Sequence, residues 1–333
     1  MSVIIKDVAK LASVSISTVS RVLCGGSVSD SVRKKVEAAI AASGYRPNLS
    51  ARRLRTQHTY AIGLIVPDIR NPFFAEVGRA VEDAAYRAGL RVILCNTDGD
   101  ADKEDAYLRL MEEERVTGVI MAAGMQAAAG LQQRDTPFPL LLLDVGGPVL
   151  RHDAVMLDNA QAAAMLVDHL HQKGCRRIAG LFGVGGTTTA ERHAGFVAAM
   201  MAHGLPLENA HLIADAELAG QAIVQLLESV PAPQALVAGD AGLMLIAYKV
   251  LRRLGLSERI AIVGFENAAW TEVAGAGLTV IEQPLDEIGR TAVNLLLDRL
   301  AQPQQAARKL VLSGKLIVRG GAADGVAAFS PDA

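Results

Sequence analysis

Residues 13–22, SVSISTVSRV, crowd hydroxyl side chains around one arginine. Hydroxyls bond base edges or phosphates, arginine bonds guanine or phosphate, and an aliphatic group meets a thymine methyl, so the set suits the major groove of DNA. If Ser15 caps a helix running through about Leu23, then Val19 and Leu23 lie four residues apart and turn one face toward a neighbouring helix. Ile16, Ser17, Ser20 and Arg21 then occupy the other faces. Hydroxyls reach only a short way, which demands close approach of the helix to its target. The competing reading is a capped turn in a small structural domain, and the charge distribution weighs against it.

A second basic run, RPNLSARRLRTQHT, follows at 46–59. Pro47 ends the preceding helix, Asn48 can cap a new one, and Leu49 to Arg55 makes barely two turns bearing Arg52, Arg53 and Arg55. Helix nucleation is costly, so a helix this short is expected to order only on DNA or against a partner. A plain basic linker has the same composition. Other candidate chemistry falls away. GLFGVGGTTTAER at 180–192 lacks both the GK[ST] ending of a phosphate loop and GxGxxG spacing, and reads as a ligand-facing strand-to-helix loop. His169 and His171 share one helix but not its i, i+4 face. Cys24, Cys95 and Cys175 form no CxxC and have no histidine at ligand spacing, so buried thiols are expected rather than a metal site or a disulfide. No catalytic constellation, metal or cofactor is expected.

The elements that must position these residues divide by charge. Residues 1–60 hold ten Lys or Arg against three acids, a net of +7, and the rest of the chain is net negative by nine. A basic head joined to an acidic body places the phosphate-neutralising surface in the head alone. The head has no strand pattern. IKDVAKLA sets Val8, Leu11 and Ala12 on one side, and SDSVRKKVEAAIAASG sets Val32, Val36, Ala39 and Ile40 on another, opened by Ser29 or Asp30 and closed by Gly44. With the opening stretch between them, these make three short helices, compatible with a helix-turn-helix.

From residue 61 the pattern changes. AIGLIVP, RVILCNT, GVIMAAG, PLLLLDV, RIAGLFG, ALVAG and IAIVGF are continuous apolar runs, as expected of strands buried on both faces of a parallel sheet. Helix-period segments such as FFAEVGRAVEDAAYRAG and GLMLIAYKVLRRLG alternate with them, which is repeated βα crossover. The series restarts near residue 160, after AVMLDN, so two doubly wound lobes of five or six strands are expected, with a ligand cleft at the carboxyl ends of their strands. No long apolar span or export signal is visible, which places the protein in the cytoplasm, away from membranes.

IKDVAKLASVSISTVSRVL, VRKKVEAAIAASGYRPNLSARRLRT and IGLIVPDIRNPFFAEV closely resemble the head, hinge and first core strand of the lactose-repressor/galactose-repressor (LacI/GalR) family of bacterial transcription regulators. The likeness continues through VTGVIM, DN at 158–159, ERHAGF at 191–196, IAIVGFE and LTVIEQPLDEIGRTAVNLLLDRL. It implies an all-α helix-turn-helix head (1–46), a hinge helix and linker (47–60), and an α/β core of two periplasmic-binding-protein-like lobes. The first lobe would comprise 61–160 and 291–318, the second 161–290 and 319–333. It also implies a homodimer on a pseudo-palindromic double-stranded operator. Ile16, Ser17 and Arg21 would face bases. Thr18, Ser20 and Asn48 would help to position the backbone, Ser15 and Arg52 would complete the DNA-binding set, and Leu54 would wedge into the central minor-groove step.

In the core, the resemblance implies an effector site made of Asp68, Asn71, Phe73 and Phe74 after the first strand, with Asp144, Arg192, Asp240, Glu266 and Trp270. Glu266 stands where the family usually has Asp, and Gly239 where Asn often precedes the Asp kept as Asp240. NAAWTEVAGAGLTVIEQP is similar to the segment of members that sense sugar acids, and a tryptophan face stacks well on a sugar ring, although Trp270 serves equally as a core or lobe-interface residue. The C-terminal GGAADGVAAFSPDA lacks a leucine heptad, so a dimer is expected rather than a coiled-coil tetramer. The implied function is a repressor of carbohydrate or sugar-acid genes, released by a small sugar-like effector. A transport-type sugar-binding protein, or a sugar-converting enzyme without operator binding, is the competing function.

Overall fold

The computed structural model describes residues 3–320 apart from 24–25, 46–58, 125–129, 132–133, 148–150, 185, 208–209 and 214–215. The chain divides into a head, Met1–Thr59, and a core, Tyr60–Ala333. Cys24 and the hinge residues Asn48, Arg52 and Leu54 lie outside the described residues.

In the head, α1 (Ile5–Leu11), α2 (Ile16–Leu23) and α3 (Asp30–Ser43) close around Val8, Ala9, Ala12, Val19, Val22, Val36 and Ala39. α2 touches both neighbours, so its buried arc is wider than an i, i+4 stripe. Val22 is therefore inside with Val19, while Leu23 is half-buried at the edge. Leu11, expected inside, is 58% exposed, and Ala9 takes the inward place. Between α1 and α2 the chain stops and reverses at Ser13, whose φ is +54°. Ser13 N–H donates to Lys10 O at 3.1 Å and Val14 N–H to Ala9 O at 3.0 Å, the bond pair of a Schellman stop with Ser13 in its left-handed position.

Among the described residues the core contains all seven apolar runs as strands and five further ones. Its first sheet orders β11 (Lys309–Leu312), β5 (Asp153–Leu157), β4 (Leu140–Leu143), β3 (Gly118–Met121), β1 (Ala61–Val66) and β2 (Arg91–Asn96), all parallel. The second orders β12 (Lys315–Ile317), β10 (Thr279–Glu282), β9 (Ala261–Phe265), β8 (Ala235–Ala238), β6 (Ile178–Gly183) and β7 (Ala210–Ile213), parallel except for β12. Helices α4 (Pro72–Arg87) and α5 (Ala101–Glu113) connect strands of the first lobe. α6 (Asn159–Gln172), α7 (Thr187–Ala202), α8 (Ala216–Leu227), α9 (Ala241–Arg253) and the short α10 (Ala269–Val273) belong to the second. α11 (Leu285–Ala301) returns to pack on α4 and against β3, β4 and β5. Each sheet is therefore sandwiched between helices, which is why its central strands carry no polar alternation.

The chain crosses between lobes three times: from β5 into α6, from β10 into α11, and from β11 into β12. The second crossing falls near 283, ahead of the expected 291, because α11 buries Ile288, Ala292, Val293, Leu295 and Leu296 in the first lobe from its first turn. The third falls at 313–314, ahead of 319, because β12 pairs with β10 in the second sheet. Cys95 and Cys175 are free and buried. Among the described residues no helix is long and apolar enough to cross a membrane, and no three metal-ligating side chains converge.

Candidate DNA-reading surface and effector cleft

α2 starts as its first residues dictate. Ser15 Oγ accepts from Thr18 N–H at 3.1 Å, satisfying one of the free donors of the first turn, and lies 2.7 Å from Ser17 Oγ and 2.8 Å from Thr18 Oγ1. The serines and the threonine thus hold one another in place at the tip of the helix. Ile16 is 45% exposed beside them, and Ser17 and Arg21, one turn apart, are also exposed. Thr18 is half-buried. Ser20, at 5% exposure, is turned inward beside Val19 and is less open than the other expected contacts of this helix. The free surface of α2 is Ile16, Ser17 and Arg21, an aliphatic group, a hydroxyl and a guanidinium side by side.

In the core, the ends of β4 and β6 bring the two lobes into contact. Gly146, beyond β4, donates its N–H to Thr187 Oγ1 at the start of α7 at 2.8 Å. Near this junction lies Arg192, one turn further along α7 and buried. Its Nε donates to Asn159 Oδ1 at 2.8 Å, its Nη1 to Gly239 O at 2.8 Å, and its guanidinium carbon lies 4.0 Å from the centre of the Phe265 ring. Burial lowers its pKa, and the field of Asp144, Glu266, Asp240 and Glu191 opposes that shift.

Two of these acids are poised unusually. Asp144 ends β4 with φ +53°, and its Oδ1 is shielded from solvent without a partner among the described residues. Glu266 ends β9 with φ +75°, and its Oε2 is shielded likewise. Burial pushes each carboxyl up to about 7, against the pull of Arg192. Each strand end thus combines a positive φ with one shielded carboxyl oxygen that has no partner among the described residues. Asp240 is partly committed: it caps α9, accepting from Leu243 N–H at 2.8 Å.

The four expected residues of the loop after β1 make local contacts. Asp68 is gripped at both oxygens by Arg70, at 2.9 and 3.0 Å, and the hydrogen bonds from Arg70 hold its carboxyl below the usual range. Asn71 caps α4 through Phe73 N–H at 3.0 Å. Phe73 is buried in the first lobe's apolar core, with Phe74 edge-on at 5.0 Å and half-buried. Trp270 packs on the second lobe's core, 6.1 Å from the Tyr248 ring, and remains half-buried.

Further residues have roles here, or buried polar atoms, that the sequence reading did not assign. Asn159 and the Gly239 carbonyl orient Arg192, Phe265 floors it, and Gln283, buried at the second crossing, has neither amide atom partnered among the described residues. Gly239 has a steric reason: a Cβ there would stand 2.6 Å from Phe182 Cδ1 and 3.1 Å from Leu181 O. The site is built around a backbone carbonyl at that point, with no room for a side chain.

Residues 4–48 match the profile of bacterial regulatory proteins of the lacI family, and residues 167–321 that of a periplasmic binding protein-like domain. The HTH-type transcriptional regulator PtxS of Pseudomonas plecoglossicida is 34% identical over 323 residues, covering 96% of this chain and 95% of its own. The ribose operon repressor of Escherichia coli K12 is 33% identical over 330 residues, covering 95% and 99%. The chain belongs to the lacI family of bacterial regulatory proteins. Among solved structures, a lac repressor dimer bound to operator and the anti-inducer ONPF matches with a TM-score of 0.88 at 25% identity, over 97% of this chain and 99% of that one. As a lacI-family member the chain is a DNA-binding transcriptional regulator, and its relatives are regulators rather than enzymes. The exposed Ile16, Ser17 and Arg21 surface and the Arg192 site now stand in one protein as its two candidate binding surfaces.

Proposed function

We propose that this protein is a cytoplasmic repressor of genes for carbohydrate or sugar-acid use. It binds a pseudo-palindromic operator as a homodimer and is released when a hydroxyl-rich effector binds between the lobes. The observation that carries the ligand class is the trio of Arg192, Asp144 and Glu266: one buried cation with its Nε and Nη1 committed, beside two shielded carboxyl oxygens without partners among the described residues. Sugar hydroxyls supply both halves of what the trio lacks, donating to the carboxyl oxygens and accepting from the remaining guanidinium nitrogen. A carboxylate ligand meets Arg192 well but brings a further negative charge toward Asp144 and Glu266, so a sugar acid is best accommodated when those groups are protonated. Effector binding then shifts the lobe equilibrium by its difference in affinity for the two states, and operator affinity follows through linkage.

The test is fluorescence anisotropy on duplexes from the DNA flanking the gene, with neutral sugars, sugar acids, sugar phosphates, purines and amino acids added in turn. Specific binding to one duplex, weakened by one carbohydrate class, is the expected result. Release by a purine or amino acid alone overturns the ligand class, and failure to bind any flanking duplex, with turnover of a sugar, overturns the repressor reading.

A further inference from the structure

Beside the Arg192 site the lobes are fastened to each other by a contact that involves none of the ligand-reading oxygens. Gly146 N–H donates to Thr187 Oγ1 at 2.8 Å, and Gly147 N–H donates to Glu191 Oε1 at 3.2 Å. The donors stand in the loop after β4, in the first lobe. The acceptors stand one turn apart on α7, in the second. Lys309 Nζ, from β11 of the first lobe, holds the Gly147 carbonyl at 3.0 Å and so steadies the donor side. The approach is close: a Cβ on Gly146 would stand 2.6 Å from Glu191 Oε1 and 2.8 Å from its carboxyl carbon, so the carboxylate would have to shift to admit one.

The same carboxylate connects inward. Glu191 Oε2 accepts from Asn159 Nδ2 at 3.3 Å, and Asn159 Oδ1 accepts from Arg192 Nε at 2.8 Å. Arg192 can only donate, which fixes the orientation of the Asn159 amide and turns its NH2 toward Glu191 and the Leu157 carbonyl, 3.2 Å away. A chain of bonds therefore runs from the anchor of the effector site, through the first residue of α6 at the first crossing, to the lobe-to-lobe contact.

We propose that Glu191 is a positioning residue that clasps the two lobes in the operator-binding arrangement and that, through Asn159, reports the state of Arg192 to that clasp. The chain that contains the clasp is similar over 97% of its length to a lac repressor dimer bound to operator and the anti-inducer ONPF, at a TM-score of 0.88. A ligand that pulls Arg192 toward itself loosens its bond to Asn159, frees the amide to turn, and removes the donor that steadies Glu191 against Gly147. The inference rests on the reading that operator binding answers to an effector, but its first measurement needs no effector.

Operator affinity is measured on the full chain without ligand. Glu191→Ala removes both bonds of the carboxylate and is expected to weaken operator binding about five- to tenfold, the scale of one to two net hydrogen bonds. Thr187→Val removes only the Gly146 bond and is expected to weaken it about threefold. Both should also lower the concentration of the effector, once found by the panel above, needed for half-release by the same factor as the affinity loss, a shift that mere loss of fold stability does not produce. Thermal unfolding and circular dichroism establish that each variant is folded. If the wild type binds its operator and both folded variants bind within twofold of it, or bind more tightly, the clasp is refuted and the repressor reading stands. If the wild type binds no operator, both fall together.

Discussion

Replacing Ser13 by glycine tests the reading of the head at its most strained point. Ser13 holds φ +54° at the left-handed position of the α1 stop, and among the described residues its hydroxyl makes no hydrogen bond that would repay the conformation. An L-residue in that region costs about 1–2 kcal/mol through the approach of Cβ to the following carbonyl. Glycine removes the clash, but its unfolded chain is freer, which returns about 0.5–1 kcal/mol. The net expectation is a head more stable by about 0.5–1 kcal/mol. Hydrogen exchange of α1, α2 and α3 amides in the full-length protein reads this directly, as a rise in protection of about two- to fivefold. Operator affinity should hold or improve, because the turn that aims α2 becomes less strained. Ser13→Val, a β-branched residue forced into the same region, should move both measurements the other way. A fall in protection for Ser13→Gly, or a tenfold loss of operator affinity, would show that the hydroxyl is used or that the turn is wrongly described.

Further expectations concern the cap, the anchor and the acids. Ser15→Ala removes the acceptor for Thr18 N–H and should cost the head about 1 kcal/mol, read as lost amide protection in α2 together with weaker operator binding. Arg192→Met strips Asn159 Oδ1 and the Gly239 carbonyl of their donor and leaves Asp144 and Glu266 without a nearby cation. Denaturant unfolding should show a loss of about 3–5 kcal/mol, and operator release by the effector should disappear. Glu266 carries a raised pKa, about 7, so the folded state favours its protonated form. Its contribution to stability is complete below its ordinary value of 4.5 and is lost as pH rises through about 7. Melting temperature should therefore fall between about pH 5 and pH 8, and Glu266→Gln should flatten that fall in part, Asp144 retaining the remainder because it also titrates near 7. An unchanged pH profile in Glu266→Gln would place the carboxylate in water.

Much of this protein is legible in its sequence. Its seven strongest strands announce themselves as unbroken apolar runs, because strands buried on both faces have no reason to alternate. Ser15 as a helix cap, and Arg21 with Ile16 and Ser17 on the free face, follow from local hydrogen-bonding capacity and a period of 3.6 residues. What stays hidden is set by neighbours in space. Ser20 turns inward because α2 touches both neighbouring helices, and on α1 Ala9 rather than Leu11 takes the inward place; a sequence shows the period of a helix but not how many partners it has. β12 joins the second lobe rather than the first because it pairs with β10, and three residues carry too little pattern to reveal which sheet they join. Asp68 has the type and place of a ligand contact, and that Arg70, two residues away, bonds both its oxygens is not visible in the spacing.

The effector site shows the division most clearly. The sequence determined the inventory: an arginine before AGF, acids at strand ends, a basic head and an acidic body. Only the tertiary structure decided that Arg192 is held by Asn159, 33 positions earlier, and by the carbonyl of Gly239, 47 positions later. It also decided that Asp144 and Glu266 are buried, each with one carboxyl oxygen that has no partner among the described residues, and that Glu191 reaches from one lobe to the other. Local propensity acts over a turn or two of chain, whereas desolvation, charge coupling and long-range hydrogen bonds depend on what the fold brings within a few ångströms, and those are the terms from which a binding site is made.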